Sequence, residues 1–255
     1  MPDKSGTIHA RQIVRRGHPV LLSFSGIDGA GKTTQITALR RRLHEAGSRV
    51  LLLSFWDDVA VLTHIRKELS HSMFGGDKGV GSPEKPLNRQ DKNVRSWYMT
   101  VARLVFYSLD TVRTNLTVAK ARRSKVDVVI FDRYAYDEFA NLSSPRWLTG
   151  MCLKFLLRMT PRPDIAYLLD ADPRLARERK PEYPIEFLQT NRAAYLALSA
   201  LAGMTVINPL PPLEVSQKIM EEFCKLCSCG DADQPSSGAQ QMNSSRPGGS
   251  PIRTA

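Results

Sequence analysis

Short apolar runs alternate with longer stretches of helical period along most of the chain. Val20–Phe24, Val50–Phe55, Val126–Phe131, Ile165–Leu169 and Met204–Ile207 are β-branched or leucine-rich and bounded by Gly, Pro, Asp or Ser. That is the pattern of strands buried on both faces. Between them Lys32–Ala46, Ser96–Ala121, Pro145–Met159, Pro173–Lys180, Pro184–Leu201 and Pro212–Cys227 carry helical spacing. Strand and helix in alternation predict an α/β domain built on a parallel sheet with helices on both faces. Gly47 falls where a glycine ends the first helix.

The pattern also marks what lies outside that domain. Residues 1–19 are basic, through Arg11, Arg15 and Arg16, and have no apolar stretch of signal-peptide kind, so they read as a loose tail. Gly75–Asp91 is rich in Gly, Pro and charge and reads as a long surface loop or insertion. From Gly230 to Ala255 apolar residues almost vanish, which predicts a disordered tail. The domain is therefore expected over residues 20–229, without internal repeats.

Composition narrows the partners. A net charge of +11 on 255 residues favours phosphorylated or polyanionic ligands. No zinc-finger spacing, arginine-rich arm or aromatic-basic string accompanies it, so nucleic acid is not the expected partner. No run reaches the roughly 20 apolar residues of a membrane helix. Cys152, Cys224, Cys227 and Cys229 form no spaced framework, and the last three lack the fourth ligand that tetrahedral zinc needs, so free thiols in a reducing cytoplasm are expected.

The chemistry concentrates in three places. Gly26-Ile27-Asp28-Gly29-Ala30-Gly31-Lys32-Thr33, followed by Thr34, fits G-x-x-x-x-G-K-[ST] between a strand and a helix. There the glycines turn backbone N–H groups inward, the helix N-terminus adds positive potential, Lys32 reaches the outer phosphates and Thr33 offers a hydroxyl to magnesium. Asp132, at the carboxyl end of a buried strand, is placed to orient the same metal. Arg133 beside it can fork onto a pair of anionic oxygens, the alternative being a surface salt bridge. Arg174, Arg177, Arg179 and Lys180 crowd the end of a short helix before Pro181, either as a solvated charged face or as a mobile lid over phosphates.

Taken in order, "FSGIDGAGKTTQ", "DRY" and "YLLDADPRLARER…EFLQTNRAAYLAL" resemble thymidylate kinase and related nucleoside monophosphate kinases over about Val20–Asn208. The resemblance implies the P-loop fold with a five-stranded parallel sheet, ATP and magnesium as cofactors, transfer of the γ-phosphoryl group to a nucleoside monophosphate, dTMP before others, and by analogy a homodimer. It also implies that Asp28 lies near the acceptor's phosphate and sugar, and that Asp132 and Arg133 serve the metal and the acceptor phosphate. Lys32, Arg133, Arg179 and Asp28 are thus the candidate catalytic residues. Phe106 or Tyr107 would stack on the acceptor base.

The departures fall on the acceptor side. Where the family has an R-E-P-G run after the second strand, this chain has Ser54-Phe55-Trp56-Asp57-Asp58. Four places after Phe106 and Tyr107, where the family has an arginine, stand Asp110 and Thr111. Arg179 holds the family's A-x-x-R position relative to Ala176, with Arg177 and Lys180 as substitutes for the lid cation. Two rivals follow: a kinase of the same fold for another acceptor, and a nucleotide-binding regulator that transfers nothing.

Overall fold

A computed structural model of the chain describes residues 18–61, 97–142 and 147–229. Five strands, β1 (Val20–Ser25), β2 (Val50–Ser54), β3 (Val128–Asp132), β4 (Ile165–Leu169) and β5 (Thr205–Ile207), form one sheet in the order β2-β3-β1-β4-β5. Every pairing is parallel, with Phe24 beside both Asp132 and Tyr167. The helices are α1 (Lys32–Glu45), α2 (Trp97–Arg123), α3 (Ala135–Phe139), α4 (Trp147–Met159), α5 (Pro173–Arg179), α6 (Ile185–Ala202) and α7 (Pro212–Cys229).

The period of two along β1 divides the core. Val20, Leu22 and Phe24 pack with Ile36, Leu39 and Leu43 of α1 and with Ile219 and Phe223 of α7. Leu21 faces the other way, into a core shared by α2, α3, α4 and α6. All six residues of β1 are buried, as are β4 and most of β3. β2 and β5 are only partly buried because each is an edge with one neighbour, which corrects the expectation that all five strands are covered on both faces.

Element boundaries agree with the apolar pattern to within two residues, and β4 agrees at both ends. Gly47 adopts φ 81° and donates to the His44 carbonyl, while Ser48 donates to Leu43, closing α1 as a glycine-capped helix. Three elements were not foreseen: a π-helical turn at Phe55–Val59, the five-residue α3, and a 3-10 turn at Ala140–Leu142. Phe55 therefore opens a turn rather than ending β2. The expected insertion at 75–91 and tail from Gly230 lie outside the described residues, as does most of the N-terminal tail. Cys224 and Cys227 pack into the core beneath α7, and burial raises the Cys224 thiol pKa.

Candidate functional site

The segment between β1 and α1 wraps the first turn of α1. Its N-cap, Gly31, has φ 85° and no side chain to offer the turn, and the first turn holds no acidic residue. The helix's positive end is thus open to an outside anion. Gly29, at φ 83°, has a second reason to be glycine: a Cβ there would sit 2.2 Å from the carbonyl oxygen of Ala176 in α5. The loop and α5 are in direct contact.

Lys32 is only 7% exposed. Its ammonium donates to the carbonyls of Gly26 at 2.8 Å and Ile27 at 2.9 Å. Burial, reinforced by the charge of Arg133, lowers its pKa to about 8, against the pull of Asp28, Asp137 and Asp132. Thr33 and Thr34 are exposed at the helix mouth, and Asp132 is half-buried at the carboxyl end of β3.

Arg133 leaves β3 in the left-handed region, φ 66°, with its amide donating to the Phe24 carbonyl at 3.0 Å. A non-glycine residue rarely adopts this conformation, and here it turns the side chain toward the loop of β1. The guanidinium donates to Asp28 and pairs with Asp137 at 3.6 Å. Burial opposes its charge, but Asp137 and Asp28 outweigh it and raise its pKa. The contact is a half-buried two-carboxylate clasp, not the exposed salt bridge considered from sequence.

Asp137 is the residue that the sequence reading missed. Only 5% exposed, it accepts from the Ser25 hydroxyl at 2.7 Å, the Tyr195 hydroxyl at 2.6 Å and the Tyr134 amide at 3.0 Å. It stands at the third position of α3, where a carboxylate satisfies the amides of the first turn. Burial, and then the charge of Asp137, hold the Tyr195 phenol far above its usual pKa, so it stays a hydrogen donor. The only local clue was an acid four residues after Arg133.

On the lid side, Asp172 accepts from the amides of Arg174 and Leu175 and starts α5. Ala176 is fully buried against the loop, so α5 is packed in place in this structure. Arg179 donates to the Gly29 carbonyl at 3.4 Å, and Lys180 lies 4.0 Å from Asp28 and 3.3 Å from Glu182. Arg174 is exposed and Arg177 half-buried. Of the four candidate lid cations, the contacts join Arg179 and Lys180 to the loop.

The aromatic pair on α2 is placed differently. Tyr107 is 4% exposed and tilts against Phe139 at 6.1 Å in the core, while Phe106 is half-buried against the same cluster. Asp110 accepts from the Val61 amide at 2.8 Å, tying the chain after the π-helical turn to α2. Thr111 lies buried beside Thr160, with hydroxyls 3.4 Å apart. Both positions that lack the family's arginine are thus used for packing.

No family model matches the chain. Curated proteins do. A thymidylate kinase of Xanthomonas campestris pv. campestris is 31% identical over 200 residues, which cover 74% of this chain and 75% of that protein. The chain belongs to the thymidylate kinase family. A thymidylate kinase of Bifidobacterium longum is 29% identical over 191 residues, covering 71% of this chain and 84% of its own length. A probable thymidylate kinase of Pyrococcus abyssi is 29% identical over 212 residues, covering 78% and 91%. The family's parallel sheet and P-loop fold are those described above.

Magnesium fits the residues in one way. Thr33 and Asp132 supply hard oxygen donors beside the loop, and among the described residues no cluster of three His, Cys, Asp or Glu could cage an ion. A magnesium ion held by these two oxygens would need phosphate or water to complete its shell. Among the described residues no helix is long and apolar enough to cross a membrane.

Proposed function

We propose that the protein is a nucleoside monophosphate kinase that transfers the γ-phosphoryl group of ATP to dTMP. The observation that carries this reading is that two anion-binding groups meet at one loop. The loop ends in the open helix end with Lys32, and its Asp28 holds Arg133. Phosphoryl transfer asks a protein mainly to align donor and acceptor and to neutralise charge spread over oxygens. Lys32 and the loop amides from Gly26 to Thr34 would hold the donor's phosphates. Arg133 would turn from Asp28 onto the acceptor phosphate, leaving Asp28 for the acceptor's sugar. Arg179, already on the Gly29 carbonyl, would bring the lid charge to the migrating group, with Lys180 next to it. Thr33 and Asp132 would hold magnesium, which would supply charge to offset that of the phosphates.

A second acceptor is favoured by one observation: Asp110 and Thr111 are engaged in packing where the family would bring an arginine to the acceptor. A coupled assay for ADP with magnesium-ATP and a panel of monophosphates separates the two. The leading reading expects dTMP to exceed the others in kcat/KM. Turnover only with another acceptor replaces dTMP, and nucleotide binding without turnover on any acceptor leaves a regulator.

The same reading includes a homodimer. Val101, Val105, Leu109, Val112 and Leu116 form an exposed stripe along α2, spaced by three and four residues as in a helix-pairing seam, and Met151, Phe155 and Met159 continue it on α4. Leu116 is 66% and Phe155 62% exposed. Light scattering should give a dimer for the native chain and a monomer for Leu116→Glu with Phe155→Glu. A native monomer overturns this part.

A further inference from the structure

Away from the phosphate loop, the C-terminal ends of α2 and α4 border an open cleft of about 660 Å³ whose lining includes Arg122, Arg123, Arg158 and Arg162. These ends lead into β3 and β4, so the cleft lies toward the amino ends of strands whose carboxyl ends carry the candidate site. Its frame is fixed by direct bonds. The Asn115 amide donates to the Thr111 carbonyl at 2.8 Å within α2 and to the Met159 carbonyl at 2.9 Å across to α4. The Tyr134 hydroxyl donates to the Pro161 carbonyl at 2.6 Å.

The charge in the cleft is only partly offset by the described residues. No carboxylate among the described residues pairs with any of the four arginines. The two nearest in sequence are otherwise engaged: Asp127 with Arg49 at 2.9 Å, and Asp164 with the Leu21 amide at 2.8 Å. Basic residues at helix C-termini are expected to complement the macrodipole, but each helix end is worth only roughly half a negative charge. Two ends offset about one of four positive charges, leaving a surplus of about three. The buried phenols of Tyr134 and Tyr136 register it. Burial raises both pKa values, while Arg122 works against the rise at Tyr134 and Arg162 against that at Tyr136.

We infer that this cleft is a second anion site, which binds the polyphosphate moiety of a small molecule of nucleotide size. The volume falls within the roughly 300–1,000 Å³ of small-molecule sites. Guanidinium forks from three segments match the several oxygen edges of a polyphosphate better than a single phosphate. Nucleic acid would call for a basic track, whereas these arginines line one open cleft. The site does not depend on which acceptor the kinase uses. It does adjoin the kinase machinery, because Tyr134, whose hydroxyl holds the cleft wall, follows Arg133 and donates its amide to Asp137.

The test is calorimetry on the full chain with inorganic tripolyphosphate and, separately, with ATP. Lys32→Ala serves to empty the phosphate loop. Tripolyphosphate is expected to bind Lys32→Ala at one site and to lose at least tenfold in affinity when Arg122→Ala and Arg158→Ala are added. ATP tighter than tripolyphosphate at that site assigns a nucleotide, and equal affinity assigns polyphosphate itself. Should Lys32→Ala fold poorly, the native chain serves, its stoichiometry falling from two to one in Arg122→Ala with Arg158→Ala. That double variant should keep its melting temperature and its turnover. One site only, lost in Lys32→Ala and indifferent to the arginines, overturns the inference. So does an oligonucleotide that binds through Arg122 and Arg158 when tripolyphosphate does not.

Discussion

The chain gathers positive charge at two places and treats it in opposite ways. Around the phosphate loop, Lys32, Arg133 and Lys180 are interleaved with Asp28, Asp132 and Asp137, and the arginine is clasped by two carboxylates. In the cleft beneath α2 and α4, four arginines share a space with no carboxylate partner among the described residues. The first arrangement buries Lys32 and half-buries Arg133, and buried cations must be paired to be tolerated. The second leaves them at the surface, where solvent covers the cost of repulsion. Interleaved charge holds groups in position before a ligand arrives; unpaired charge leaves attraction to spare for one.

The widest break in this contrast is expected from removing one acid of the clasp. Asp137→Asn keeps the shape but leaves Arg133 with Asp28 as its hydrogen-bonded carboxylate, and replaces with a donor either Oδ2, which serves Ser25 and Tyr134, or Oδ1, which serves Tyr195. Losing one partner of a buried pair typically costs about 3–5 kcal/mol. For a domain of this size the melting temperature should fall by roughly 6–20 °C. Tyr195→Phe, which removes one donor and no charge, should cost about 1–2 kcal/mol. If the two variants melt alike, Asp137 works as a hydrogen-bond acceptor and not as counter-charge to Arg133.

A pH series probes the other buried cation. In the folded, ligand-free chain the Lys32 ammonium titrates at about 8, against 10.5 for the free side chain. Below pH 8 folded and unfolded states are both protonated. Between about 8 and 10.5 the unfolded state holds the extra proton, so the stability of the native chain relative to Lys32→Met should rise with pH, in total by about 3 kcal/mol. Affinity for ATP should move the other way, since the neutral amine no longer attracts phosphate, falling by up to tenfold per unit above pH 8. A flat stability difference across that window would mean that Lys32 is better solvated than its burial indicates.

How far these features were legible follows from how local they are. The phosphate loop is one consecutive run, Gly26 to Thr34, whose glycines and lysine carry the geometry themselves. The three buried central strands were likewise visible as apolar runs. The clasp was not, because Asp137 draws on Ser25, 112 residues earlier, and Tyr195, 58 later, and only the sheet order brings them together. The same holds for Tyr107 and Asp110. A tyrosine at helical spacing reads alike whether it faces a ligand or Phe139, and only the packing decides.

The loop's junction with α5 offers a smaller effect. In Gly29→Ala the new methyl meets the Ala176 carbonyl at 2.2 Å, and the residue must hold φ 83°. One or the other must give, at a cost of about 1–3 kcal/mol. If α5 is pushed outward, Arg179 loses the Gly29 carbonyl, and kcat for the acceptor that the panel selects should drop more than KM rises. An unchanged kcat with lowered stability would place Arg179 outside the transfer step.

The smallest expected effect makes the second cluster resemble the first. Ala119 lines the cleft one helical turn before Arg123 and three residues before Arg122, so Ala119→Glu would give both a partner on the same face of α2. A glutamate four residues before an arginine stabilises a helix by a few tenths of a kcal/mol, and the melting temperature should rise by about 1 °C. That gain should vanish at roughly 1 M salt, where charges are screened within about 3 Å. It carries a cost in ligand: a carboxylate set among the guanidinium groups should weaken tripolyphosphate at the cleft while leaving the phosphate loop unaffected. Were Ala119→Glu to gain no stability at low salt, the four arginines would not repel one another appreciably, and the surplus that sets the cleft apart from the clasp would be absent.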